Sequence, residues 1–148
     1  YEHLSNEIKQ KIEGLKAAHS YLPRFIASRE IDDEFQNNKF ELSDNQKAEL
    51  TEVIHPVVRA HSENNRKALF INEGFTIRID GMAKKESKAL LANLNDHATN
   101  RRFVYTHKWS VGDVIFWDNR VTMHKATEYN LQYSRRMHRT IIRGDTPT

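Results

Sequence analysis

Trp117-Asp118-Asn119-Arg120-Val121-Thr122-Met123-His124, followed by Ser134-Arg135-Arg136-Met137-His138-Arg139-Thr140, is the pair of segments on which the reading of this chain turns. Val121–Ala126 has the composition of a strand, and Arg135–Arg143 reads as the strand that returns alongside it. Side chains alternate along a strand, so Arg135, Met137, Arg139 and Ile141 would share one face. Arg135 and Arg139 would then stand about 13 Å apart at ~3.3 Å per residue. Two guanidiniums on an inward face are costly unless anions meet them. Each offers a planar fork that suits a carboxylate or a sulfonate. Salt bridges on the rim of a sheet would look the same, and spacing alone does not separate the two.

The upstream pattern also points to strands. Phe103–Trp109 and Asp113–Trp117 precede the last hairpin, and Lys84 to Ala98 reads as a helix carried by Leu90, Leu91 and Leu94. Gly74-Phe75-Thr76-Ile77-Arg78-Ile79 has β character. His55–His61 and Lys67–Ile71 flank the polar turn Ser62-Glu63-Asn64-Asn65, which predicts a hairpin. A helix from Asp44 to Ile54 would be capped by Ser43, with Gln46 at the capping-box position. Residues 28–45 are polar, carry Asp32-Asp33-Glu34 and Asn37-Asn38, and read as a mobile excursion or lid. Residues 2–19 predict an amphipathic helix through Leu4, Ile8, Ile12 and Leu15, ended by Tyr21-Leu22-Pro23. Short strands with helices alongside predict a mainly β fold with flanking helices, an antiparallel sandwich or jelly roll.

Composition narrows the function. The chain has 148 residues, about one domain, and 29% of them are charged, which predicts a globular protein without a membrane span. No cysteine is present, so disulfides, zinc–thiolate sites and cysteine nucleophiles are excluded, and a reducing, cytoplasmic setting is expected. The net charge of +3 comes without an aromatic-interleaved basic patch, so a basic surface or a pocket for a small anion is favoured over nucleic acid. The chain opens on Tyr1 with a helix already under way, which suggests numbering that starts inside a longer protein.

His124 is the remaining chemical group. A strand histidine between Met123 and Lys125 is ordinarily structural, but imidazole suits iron, and a two-histidine, one-carboxylate site needs one such distal ligand. Trp117-Asp118-Asn119-Arg120-x-x-x-His124, with Arg135 and Arg139 eleven and fifteen residues further on, resembles the C-terminal signature of the taurine dioxygenase (taurine/chlorophenoxyacetate dioxygenase) family. These are Fe(II)- and 2-oxoglutarate-dependent oxygenases. His55-Pro56-Val57-Val58-Arg59-x-His61, Ala68-Leu69-Phe70-Ile71-Asn72-Glu73-Gly74-Phe75-Thr76 and Met137-His138-Arg139-x-x-Ile142-x-Gly144-Asp145 agree with that family in the same order. The match is weak over residues 1–20 and strong over 55–147.

The resemblance implies a double-stranded β-helix (jelly roll), incomplete in this chain, which would be the C-terminal part of a single dioxygenase domain over residues 1–148. It implies His124 as the distal ligand of Fe(2+), and Arg135 as the clamp for the C5 carboxylate of 2-oxoglutarate. Arg139 would bind the substrate anion or assist the cosubstrate, and Phe75 would line the substrate pocket. Trp117 and Asp118 would stand behind the metal ligand, with a core tryptophan as the plain alternative. The implied reaction couples decarboxylation of 2-oxoglutarate, with O2, to hydroxylation of a small anion. Taurine or a related sulfonate is favoured, and hydroxylation beside a sulfonate would release sulfite. The resemblance brings in no nucleic acid and no membrane, and it leaves room for a homo-oligomer.

The family's other two iron ligands form a His-x-Asp motif, and that motif and the cosubstrate-binding threonine fall upstream of the segment matching Tyr1. The chain alone is therefore expected not to turn over. The alternative is a catalytically incomplete β-sandwich module that binds anions. His61-Ser62-Glu63 imitates a ligand motif but falls in a hairpin turn, where such side chains are usually solvated. His97 and His107 read as surface residues.

Overall fold

The computed structural model describes residues 1–22, 51–130, 132–142 and 144. The expected excursion at 28–45 and the Ser43 cap lie outside the described residues, as does most of the helix expected over 44–54. The described end of that helix is a strand.

The first helix is shorter than its apolar spacing predicts. Helix α1 covers Asn6–Ile12. Ser5 caps it, its hydroxyl accepting the Ile8 N–H at 3.3 Å. Gly14, at φ +72°, then turns the chain out of the helix into strand β1, Lys16–His19. Lysine and alanine favour helix locally, but here tertiary pairing decides. Strand β1 is the centre of a three-stranded antiparallel sheet, between β2 (Val53–Pro56) and β5 (Thr76–Ile79). Ala17 faces His55 on one side and Ile79 on the other, and His19 pairs with Val53. Both alanines of β1 are wholly buried.

The hairpin forms as expected but with tighter limits. Strand β3 (Val58–Ala60) pairs antiparallel with β4 (Lys67–Leu69) in a second sheet, with Arg59 opposite Ala68. The Phe70 N–H donates to the Val57 carbonyl at 2.7 Å, joining the hairpin to the chain just after β2. Helix α2 spans Lys84–Ala98, as its leucine spacing predicts, and buries Ser87, Leu90, Leu91 and Leu94. Those leucines pack with Leu4, Ile12, Ala17, Val57, Ile71 and Ile79 into one core. The buried Ser87 hydroxyl accepts the Ile79 N–H at 2.7 Å, pinning α2 to β5.

Beyond a single 3-10 turn at Arg101–Phe103, the described residues 104–142 contain no strand. The strands expected at Phe103–Trp109, Asp113–Trp117, Val121–Ala126 and Arg135–Arg143 are therefore not formed among the described residues. Val111, Val114, Phe116, Tyr133, Ile141 and Ile142 are exposed. The alternating pattern is real, but a strand is stable only against a partner, and these segments have none among the described residues. What does form here needs only neighbours, such as the turn at Ser110–Asp113 with Gly112 at φ +91°.

Candidate active site

Asp118 organises the segment that leads to His124. Its backbone carbonyl accepts the Thr122 N–H at 3.1 Å and the Thr122 hydroxyl at 2.6 Å, closing a tight turn. Its carboxylate accepts the Arg120 N–H at 2.8 Å and the Arg120 fork, with Nη2 at 2.7 Å. The Arg120 guanidinium above all, then its backbone N–H and His61, hold the Asp118 carboxyl far below the usual carboxylate range. The same pairing raises Arg120. Trp117 is tied to Asn119 by its indole N–H at 2.8 Å, and its ring lies 5.0 Å from that of His124. Five residues of the quoted motif, Trp117, Asp118, Asn119, Arg120 and Thr122, thus build one compact turn, with the Trp117 ring set against the imidazole.

His61 is not the solvated turn residue its sequence position suggests. Only 8% of it is exposed, and its Nε2 lies 3.0 Å from Asp118 Oδ2. The Glu63 N–H donates to its Nδ1 at 3.1 Å. Arg120 reaches the same hairpin turn through Ser62 Oγ at 2.9 Å and Glu63 Oε1 at 3.4 Å. Sequence reasoning missed this because the partners lie 57 residues apart and local periodicity carries no trace of the contact. His97 and His107 are half-buried rather than fully exposed. His107 pairs with Asp113 at 2.9 Å.

Phe75 sits on a braced turn. The Phe75 N–H and Thr76 N–H both donate to the Asn72 carbonyl, at 3.1 and 2.7 Å, and the Thr76 hydroxyl accepts the Asn72 N–H at 2.8 Å. The Tyr21 ring stacks on Phe75 at 5.8 Å, and the Ser20 N–H donates to the Phe75 carbonyl at 2.8 Å. Behind this wall Thr76 Oγ1 lies 3.3 Å from His19 Nδ1. Rings of His19, His55 and Phe70 meet at 5.4–5.5 Å, and the buried Arg59 guanidinium lies over Phe70 at 5.0 Å. Burial, with the charge of His55 adding to it, pushes His19 down to about 4.

His124, Arg135 and Arg139 are exposed and do not converge on a buried hollow among the described residues. Arg135 lies over the Tyr129 ring at 5.3 Å. Residues 134–142 form no strand, so the shared inward face and the 13 Å spacing expected of the two arginines do not apply to this arrangement. No group of three His, Asp or Glu side chains capable of holding a metal occurs among the described residues. One imidazole cannot enclose an iron, so the described residues alone do not complete a metal site.

The chain belongs to the Taurine catabolism dioxygenase TauD, TfdA family, which matches residues 1–141. It is 34% identical over 146 residues to the alpha-ketoglutarate-dependent 2,4-dichlorophenoxyacetate dioxygenase of Cupriavidus pinatubonensis (strain JMP 134 / LMG 1197), covering 98% of this chain and 47% of that protein. It is 35% identical over 96 residues to the alpha-ketoglutarate-dependent sulfate ester dioxygenase of Pseudomonas putida, covering 65% of this chain and 32% of the relative. The crystal structure of AAD-2 in complex with Mn(II) and N-oxalylglycine superposes with a TM-score of 0.72 at 33% identity, over 90% of this chain and 49% of that one. The chain thus spans about half the length of the 2,4-dichlorophenoxyacetate dioxygenase it matches.

Proposed function

We propose that this chain forms the distal part of an Fe(II)- and 2-oxoglutarate-dependent dioxygenase that hydroxylates a small organic anion. The observation that carries this is the family match across residues 1–141, which takes in the quoted motif and both arginines. His124 serves as one iron ligand, and the other two come from the part of the domain that relatives possess beyond this chain's span. Bound iron with 2-oxoglutarate supplies the oxygen activation. This chain's residues supply recognition. Arg135 takes the far carboxylate of 2-oxoglutarate in a two-pronged hydrogen bond, and Arg139 takes the substrate anion. Phe75, held by Asn72 and backed by Tyr21, walls the substrate side and keeps water out.

The jelly roll belongs to the same proposal. The apolar alternation at 103–126 and 135–143 marks strands whose ladder partners come from the rest of the domain, and pairing them turns Arg135 and Arg139 to one face. The substrate class is an aryloxy acid, a sulfonate or a sulfate ester, with taurine and its relatives among the sulfonates. A cytoplasmic enzyme fits the cysteine-free composition, and no described helix is long and apolar enough to cross a membrane.

The test is 2-oxoglutarate-coupled oxygen uptake with a panel of small sulfonates, sulfate esters and aryloxy acids, on the protein that joins this chain to the rest of its domain. Arg135→Ala is expected to raise KM for 2-oxoglutarate by on the order of tenfold or more, the worth of a charge-assisted pair, with a smaller change for substrate. Arg139→Ala should show the reverse. An unchanged cosubstrate KM in Arg135→Ala removes that assignment.

A further inference from the structure

We propose that His61 is a positioning residue for the metal-ligand segment, holding the Asp118 turn and through it the imidazole of His124. The inference rests on the reading of His124 as a ligand, but the geometry that motivates it is independent of any metal. The Glu63 N–H donates to His61 Nδ1 at 3.1 Å. A ring nitrogen that accepts is unprotonated, so the single proton of the neutral ring sits on Nε2, and that N–H donates to Asp118 Oδ2 at 3.0 Å. The hairpin turn therefore selects the tautomer, and the tautomer selects Asp118 as its partner.

Asp118 passes the constraint on. One carboxylate oxygen takes His61 and Arg120 Nη2, the other takes the Arg120 N–H, and the backbone carbonyl takes Thr122. Arg120 closes the loop by returning to Ser62 and Glu63. Among the described residues, the side-chain hydrogen bonds joining 104–142 to the first hundred residues all end on Asp118 or Arg120. By these bonds the segment bearing His124 is tied to the hairpin turn at His61–Glu63. The Trp117 ring, one residue before the tie, sits against the imidazole. Groups that orient a ligand from behind are commonly worth 10–100-fold in metal affinity.

The experiment is Mn(II) titration by electron paramagnetic resonance, with 2-oxoglutarate present, on the protein that joins this chain to the rest of its domain. His61→Phe keeps the ring volume and removes the donor, and Mn(II) binding is expected to weaken about tenfold. His61→Gln returns an N–H near the Nε2 position and should stay within about threefold of the parent. Arg120→Met, which removes the guanidinium bonds to Asp118, Ser62 and Glu63 at a partly exposed site, should weaken binding as His61→Phe does, and it carries the test if His61→Phe does not fold. Parent-like affinity in His61→Phe or Arg120→Met overturns the proposal, and so does a His61→Gln protein as weak as His61→Phe. His124→Ala separates the two claims. If it binds Mn(II) like the parent, the ligand reading falls. If it loses Mn(II) while the His61 and Arg120 variants do not, only the positioning role falls.

Discussion

Among the described residues, those before about position 100 and those after it obey different rules. In the first part, strands pair, α2 covers them, and Ile12, Ile79, Leu94 and Val57 reach full burial. In the second, the sequence is as apolar and as alternating, yet Val114, Phe116 and Ile142 stay exposed. The contrast shows that a strand pattern records a surface needing a partner. A turn such as Ser110–Asp113 or Asp118–Thr122 finds its hydrogen bonds within five residues and forms regardless.

The largest expected effect tests that contrast directly. Leu94→Ala should cost about 2–5 kcal/mol in urea denaturation of this chain, because it opens a cavity at a site with no exposure. Ile142→Ala should stay within about 0.5 kcal/mol in the same chain. If the two costs match, the two regions are not different in kind. Repeating Ile142→Ala in the protein with the rest of the domain sharpens the point, since a paired strand should raise its cost severalfold. Next in size is Ser87→Ala, expected to cost about 1–3 kcal/mol because the buried Ile79 N–H loses its acceptor. A neutral result in thermal melts would show that α2 and β5 do not depend on that bond.

The smallest effect is a slope with pH. His19 is held at about 4 against an ordinary value of 6.5. The unfolded chain therefore takes up a proton first as pH falls. The contribution of His19 is fully present above about 6.5 and declines as pH drops toward about 4. His19→Asn, which does not titrate there, should flatten that part of the stability curve. An unchanged slope would assign the acid sensitivity elsewhere.

Much of the fold was legible where local pattern and tertiary role agree. The leucine spacing of α2 and the polar turn between β3 and β4 are of that kind. Strand β1 was not legible, because Lys16-Ala17-Ala18-His19 has helical composition and becomes a strand only between β2 and β5. In the candidate site, the motif from Trp117 to His124 marks the segment by its residues alone, and the structure supports Asp118 as its organiser. His61 was misread because its turn position suggests solvent, whereas its partner arrives from 57 residues away. The facing of Arg135 and Arg139 was read from an alternation that presumes a ladder, and the described residues do not supply one.

The pairing of His19 with Val53 has a consequence for the order of folding. Contacts distant along the chain form slowly, because loop-closure entropy must be met before they reward it. The β3–β4 hairpin, whose partners are near neighbours in sequence, should therefore form ahead of the three-stranded sheet, whose centre strand has to find β2 and β5 far along the chain.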